Sequence, residues 1–215
     1  MSEPGEFVDA ALQREGSWYR AEDDQERLGG TLRFYGASMG AVRGTIRDAQ
    51  KRYPGLGHNE VTALASELWA EPVYERRLAA IVLLQSNLPL LLGSDLTRLE
   101  GFVRTAGLRV LVDPLAIDVI GPLADALAPP HGARAFLALE RWARGSDPWL
   151  RRAALLAPQR ALVAGAGDWN RFSRQAVSAL AADGERPEDP LVREAVDQVL
   201  AAVQKTRPEL RLPSP

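Results

Sequence analysis

Residues 107–121, GLRVLVDPLAIDVIG, place two carboxylates, Asp113 and Asp118, in a strongly apolar run that also holds Arg109. A charged side chain is rarely buried without a partner. A carboxylate fixed in such a run could stabilise a developing positive charge or orient a water molecule. It could equally serve the fold alone, so the elements that position it must be considered first.

The fold can account for Asp113 without any chemistry. The segment DPLAIDVIG at 113–121 begins with Asp-Pro, in which the carboxylate can cap a helix and the proline fits the first helical position. The apolar residues that follow would form the buried face of that helix. Spacing alone therefore favours Asp113 as an N-cap, typically worth about 1 kcal/mol, and places Asp118 on a polar or solvated face.

Helices are predicted along nearly the whole chain, because apolar residues recur at three- and four-residue spacing and period-two alternation is hard to find. Glycine and proline clusters, such as YPGLG at 53–57 and DGERPEDP at 183–190, mark the breaks. The predicted helices span residues 4–14, 20–34, 39–52, 58–69, 72–86, 94–105, 114–127, 132–144, 148–157, 168–182 and 190–204.

The helix starts resemble one another. DPWLRRA at 147–153 and DPLVREA at 189–195 share the pattern Asp-Pro-x-apolar-Arg-x-Ala, and EPVYERRLA at 71–79 is a looser copy. In each of the three, we predict that the acidic residue caps a helix and that the proline takes the first helical position. Helix pairs that recur about every 40 residues are typical of HEAT-type repeats, which stack into a curved solenoid with a concave inner face. We therefore predict one all-α domain over residues 1–215, with a short N-terminal cap at 1–30 and a loosely ordered tail at 206–215.

Composition limits the possible functions. The chain is 46% hydrophobic and should bury a sizeable core. It has no cysteine, and His58 and His131 leave little for a metal site, so we expect no metal and no cofactor. We find neither a signal peptide nor an apolar window long enough for a membrane span, and we expect a soluble cytoplasmic monomer.

The charge points in two directions. A formal net charge of −2 is unusual for a dedicated nucleic-acid binder. The positive charge is almost entirely arginine, since Lys51 and Lys205 are the two lysines among 26 basic residues. Arginine binds phosphate in a bidentate manner, so its placement matters more than the sum. A GC-rich genome would explain the same bias.

Several motifs, in order, resemble the AlkD-type DNA alkylation repair proteins. Residues 35–84 begin YGASMGAVR and continue to ELWAEPVYERRLA, which is similar to that family's aromatic-glycine start, "GVSMPxVR" turn and "LWxxPxHExRxxA" segment. DPWLRRAALL at 147–156 resembles its "WLRR" helix, and FSRQAVSALA at 172–181 its "KAIxWxLR" helix. The resemblance covers roughly residues 30 to 200 and implies a stack of HEAT-like repeats that holds duplex DNA on a concave face.

The resemblance also implies a reaction. Members of that family are glycosylases that release cationic N3- or N7-alkylated purines without drawing the base into a pocket. Asp113 aligns with the family's catalytic carboxylate, and either Arg151 or Arg152 with an arginine on a DNA phosphate. The family's two tryptophans are replaced by Arg109 and Ala179. Arg109 would either neutralise part of the Asp113 field or reach away to a phosphate.

Other arginines at helix starts and turns could line the concave face, and about half of them would instead pair with acidic neighbours. The candidates are Arg43, Arg47, Arg76, Arg77, Arg104, Arg144, Arg171 and Arg174. Trp69 and Trp149 are predicted to pack between repeats, Trp142 and Trp169 to lie at repeat edges, and Trp18 to pack against an end helix.

Three functions follow from the sequence. The first is a glycosylase of alkylated purines. The second is an inactive paralogue that binds damaged or branched DNA. The third is a HEAT-repeat scaffold for a protein partner, which the acidic pI of about 5.8 would favour.

Overall fold

The computed structural model describes residues 1–181 and 189–212, which form helices and turns with an isolated β-bridge between Arg33 and Val73. The predicted all-α class is confirmed. The chain divides into two compact units, Met1–Leu91 and Leu92–Pro215. Most of the predicted break at 183–190 and the end of the predicted tail lie outside the described residues.

The first unit packs α1 against α3 and α4, with α5 against the same two helices. Its helices are α1 (Glu3–Arg14), α2 (Trp18–Leu28), α3 (Met39–Arg52), α4 (His58–Ala70) and α5 (Tyr74–Ser86), followed by a 3-10 turn at Leu88–Leu90. Val8, Leu12, Ile46 and Leu68 are fully or almost fully buried in its core. The sequence pattern of α1, α3 and α4 is thus that of helices with one apolar face.

Glu75 fixes the loop that carries the YGAS motif. Its carboxylate accepts the backbone N–H groups of Tyr35 at 2.9 Å, Gly36 at 2.6 Å and Ala37 at 3.2 Å, and the side chain is fully buried. Gly36 has a φ of 73°, and a Cβ there would lie 2.1 Å from the Ser17 carbonyl oxygen. Only glycine allows this loop to close.

The second unit is built around α10, which packs against α6, α7, α9, α12 and α13. Its helices are a 3-10 turn at Gly93–Asp95, α6 (Leu96–Ala106), α7 (Arg109–Leu115), a π-helical turn at Ala116–Ile120, α8 (Gly121–Ala126), α9 (His131–Arg144), α10 (Pro148–Leu156), α11 (Gln159–Val163), α12 (Trp169–Leu180) and α13 (Pro190–Gln204). Every α10 residue from Leu150 to Leu156 is buried, and this stretch includes Arg151 and Arg152. The central helix of this unit therefore carries two guanidinium groups into the interior.

The predicted helix caps at Asp147 and Asp189 are confirmed. Asp147 accepts the N–H groups of Trp149 and Leu150, and Asp189 accepts that of Leu191. The cap predicted for the looser copy at 71–79 is wrong, because α5 begins at Tyr74 with no side-chain cap. The preceding residues are held extended by the β-bridge instead.

Other differences from the predicted elements are local. The helix predicted at 20–34 ends at Leu28, because Gly29 and Gly30 adopt positive φ angles of 64° and 83°. The short helix α11 was not predicted. Trp18 does not pack into an end helix: it is 75% exposed and contacts the ring of Tyr19.

Candidate functional site

Asp113 lies inside a helix, so its predicted role as an N-cap is wrong. Helix α7 begins at Arg109, with Leu108 as the cap residue. The helix starts earlier than predicted because Leu111 and Val112, which precede Asp113, are fully buried and belong to the same packed face. Tertiary packing overrides the local Asp-Pro signal here.

A π-helical turn follows and brings this region close to α10. Pro114 lies within α7, and after the turn the Gly121 N–H donates to the carbonyl of Ala116, five residues back. A Cβ on Gly121 would lie 1.9 Å from the carbonyl oxygen of Ala157, at the end of α10. Glycine is therefore required where the backbone of the two helices meets. π-Helical turns of this kind are frequent at functional sites.

Arg152 on α10 holds the carboxylate of Asp113. Its Nε lies 2.6 Å from Asp113 Oδ1 and its Nη2 lies 2.7 Å from Oδ2, which is the bidentate arrangement of guanidinium and carboxylate. The Arg152 side chain is 3% exposed and that of Asp113 is 21% exposed. Asp113 is therefore the member of the pair that solvent, or a substrate, can reach.

Arg152 also connects the site to α13. Its Nη1 donates to the Leu191 carbonyl at 2.8 Å, and its Nη2 lies 3.3 Å from Gln198 Oε1. Glu194 Oε2 lies 3.6 Å from the same Nη1. All three nitrogens of Arg152 thus have partners, so this side chain keeps one position and fixes the Asp113 carboxylate with it.

Arg109 pairs with Glu194 and not with Asp113. Arg109 Nη1 lies 2.5 Å from Glu194 Oε2, and the two side chains are 55% and 45% exposed. Asp113, Arg152, Glu194 and Arg109 therefore form one connected cluster, which we call the charge cluster. Its two positive and two negative charges cancel, so the cluster as it stands presents little net field.

The two adjacent arginines of α10 point in different directions, as the helical spacing requires. Arg152 faces Asp113, whereas Arg151 donates to the carbonyl of Ala179 at 3.1 Å and lies 3.7 Å from Asp189 Oδ2. Arg151 is also buried, and its Nε has no partner within the described part of the chain. Both arginines thus serve the interior of the second unit, and Arg152 alone belongs to the charge cluster.

The remaining predicted arginines are divided between the two units. In the first unit, Arg43 and Arg47 are exposed one turn apart on α3, whereas Arg77 is buried over the ring of Trp69 and burial lowers the pKa of its guanidinium. In the second unit, Arg174 is exposed on α12.

Among the other arginine candidates, Arg76, Arg104 and Arg171 have acidic partners. Arg76 is 3.2 Å from Asp9 in the interior of the first unit. Arg104 bridges Glu100 and Asp147, and Arg171 lies 3.9 Å from Glu140 while its guanidinium covers the ring of Phe136.

Glu194 and Gln198 are the site residues that sequence reasoning missed. A signal for Glu194 was present in the repeat pattern. Arg152 in DPWLRRA and Glu194 in DPLVREA occupy the same position of the two copies. Helices α10 and α13 pack together, so opposite charges at equivalent positions come within reach.

A separate cavity of about 230 Å³ opens among α8, α9, α11 and α12 of the second unit. Phe136 and Phe172 form part of its apolar wall, and burial raises the pKa of the Asp125 carboxyl at its edge. Asp113 and Arg152 are not among the residues that line this cavity.

Comparison with known proteins identifies the class. The family model described as "DNA alkylation repair enzyme" matches residues 8–213. The chain therefore belongs to the DNA alkylation repair enzyme family, as its motifs indicated. No curated protein matches the chain. In the described part of the chain, no helix is long and apolar enough to cross a membrane.

Proposed function

We propose that this protein is a DNA glycosylase that binds duplex DNA and excises cationic N3- or N7-alkylated purines, with Asp113 as its catalytic carboxylate. One observation carries the proposal. A partly exposed carboxylate has both oxygens fixed by a buried guanidinium, in a chain that belongs to a DNA alkylation repair family. Such rigid placement is what electrostatic stabilisation of a transition state requires.

The chemistry needs one anionic group. An N3- or N7-alkylated purine carries positive charge, so the bond between C1′ and the base nitrogen breaks with its electron pair moving onto the base. The sugar develops oxocarbenium character, which the Asp113 carboxylate stabilises. Water then adds to C1′ and loses a proton to solvent, with Asp113 positioning the attacking oxygen.

DNA phosphates are proposed to contact the exposed arginines Arg43, Arg47, Arg109 and Arg174. Arg77, Arg151 and Arg152 are buried and engaged with protein groups, so we assign each of them a structural role within its own unit. The curved solenoid of HEAT-like repeats in one domain and the cytoplasmic monomer stay predictions. Affinity should fall steeply with salt, because phosphate binding releases counterions.

A second candidate is a paralogue that binds damaged or branched DNA without cleaving it. The observation that favours it is the neutralisation of Asp113 by Arg152, since a carboxylate paired with a guanidinium stabilises a developing positive charge less strongly. Arg109 stands where the AlkD-type proteins that this sequence resembles have a tryptophan, and this replacement favours the same function.

Single-turnover release of 7-methylguanine and of a bulkier N7 adduct from duplex DNA distinguishes the two candidates. We expect wild type to release base and Asp113→Asn to lose release while it still binds DNA. The matched control is Asp118→Asn. It removes another carboxylate of the same apolar run, one that lies 3.3 Å from Arg160. DNA binding without release by wild type would favour the paralogue, and absence of both would point to a protein scaffold.

A further inference from the structure

Glu194 lies between the two arginines of the charge cluster. Its Oε2 is 2.5 Å from Arg109 Nη1 and 3.6 Å from Arg152 Nη1. At 45% exposure it is the more accessible of the two carboxylates on Arg152, since Asp113 is 21% exposed. A change of partner at Glu194 therefore needs no unfolding.

The two arginines are held to different degrees. Arg152 is buried and has partners on all three nitrogens, including two protein oxygens besides those of Asp113. Arg109 is more than half exposed, and its contact with the described residues is the pair with Glu194. An exposed ion pair holds its members only weakly, whereas DNA phosphate accepts arginine in a bidentate, charge-assisted manner. Arg109 is thus the member of this cluster that can leave its protein partner and bind a phosphate.

We propose that duplex DNA draws Arg109 from Glu194 to a backbone phosphate, and that the released Glu194 carboxylate then acts with Asp113 as a second anionic group. In the free protein the four charges of the cluster cancel. Once Arg109 neutralises a phosphate, Asp113, Arg152 and Glu194 retain one net negative charge. This charge arises only on DNA, beside the sugar that becomes positive. The inference rests on the proposed glycosylase function and explains how a carboxylate paired with Arg152 can still serve it.

Binding to undamaged duplex tests the exchange without any chemistry. The variants Arg109→Gln, Glu194→Gln and the double variant are titrated over a series of salt concentrations. Arg109→Gln should weaken binding. It should also reduce the magnitude of the slope of log K against log salt by about 1, the change expected for the loss of one phosphate contact. Glu194→Gln should tighten binding about two- to five-fold, because Arg109 no longer has to leave a partner. That gain should largely disappear when Arg109 is already Gln.

One exposed member of each of two other ion pairs in the second unit supplies a matched control. Arg141→Gln removes an exposed arginine that is 2.9 Å from Glu100, and Glu209→Gln removes an exposed carboxylate 3.5 Å from Arg207. Both change the net charge as the test variants do, and neither should alter the salt slope. An unchanged slope for Arg109→Gln, or equal effects of Glu194→Gln in both backgrounds, overturns the exchange.

Single-turnover release at saturating duplex tests the role of Glu194. We expect Glu194→Gln to slow release about tenfold although it binds more tightly, since one of the two anionic groups is lost. Glu194→Asp should restore part of the rate. A purely structural role would not separate affinity from rate in this way.

The outcomes keep the two proposals apart. If wild type and Glu194→Gln release base at the same rate while Asp113→Asn does not, the Glu194 role is wrong and the proposed function stands. If wild type releases no base, the proposed function fails and the Glu194 role fails with it. The salt titrations of the two single variants and the double variant then still decide whether Arg109 exchanges its partner.

Discussion

The free energy of the Asp113 and Arg152 pair can be measured by replacing Asp113 with Asn. The substitution keeps the side-chain size and one acceptor oxygen but removes the negative charge of Asp113. The Arg152 side chain, which is 3% exposed, then loses the charged partner that it contacts with two nitrogens. A buried charge that loses its partner costs about 3–5 kcal/mol. Arg152 would still face Glu194 at 3.6 Å and two neutral acceptors. We therefore expect a smaller loss of unfolding free energy, about 2 kcal/mol.

Glu194 sets the size of this loss. Glu194→Gln alone should cost less than about 1 kcal/mol, because the side chain is nearly half exposed. With Asp113→Asn and Glu194→Gln combined, Arg152 loses both of its carboxylates. The loss should then reach about 4–5 kcal/mol, which exceeds the sum of the single losses and gives a coupling energy above about 1 kcal/mol.

Urea denaturation followed by circular dichroism gives these free energies. The chain forms two compact units that can unfold in separate steps, so hydrogen exchange by mass spectrometry should assign the loss to α7, α10 and α13. Asp118→Asn, which breaks a more exposed pair, should cost less than about 1 kcal/mol. Strictly additive losses, or a cost below about 0.5 kcal/mol for Asp113→Asn, would refute this account of the cluster.

Two further predictions concern the second unit. Gly121→Ala should lower the unfolding free energy by about 3 kcal/mol or more, because its Cβ would meet the Ala157 carbonyl oxygen at 1.9 Å. Gly101→Ala, whose Cβ would have open space in α6, should raise the unfolding free energy by about 0.5–1 kcal/mol, and equal melting temperatures for the two variants would contradict this packing. Glu100 loses some stability of its ionised form to burial, but hydrogen bonds from Arg104 and Trp142 outweigh this and lower the pKa of its carboxyl. Glu100→Gln should therefore be less stable than wild type by about 1 kcal/mol at pH 7. This difference should begin to shrink near the ordinary glutamate pKa of about 4.3 and vanish as the pH falls through the lower folded-state pKa, as pH-dependent melting curves would show. A gap that is independent of pH would contradict the ionised hydrogen bonds.

Local signals predicted much of this fold. Apolar spacing indicated the helices, and Asp147 and Asp189 were predicted as caps because a cap bonds to N–H groups two or three residues away. The same Asp-Pro signal was misleading at Asp113, where buried neighbours on both sides extend one helix through it. Nothing in the local sequence distinguishes these two cases.

The sequence by itself determined the all-α class, the family and the candidacy of Asp113. Only the tertiary structure decided that Arg152, and not Arg151, holds that carboxylate, and that Glu194 joins them. Helix formation and capping depend on residues within about one turn of each other. The charge cluster joins α7, α10 and α13, and the distances among these side chains follow from how the three helices pack.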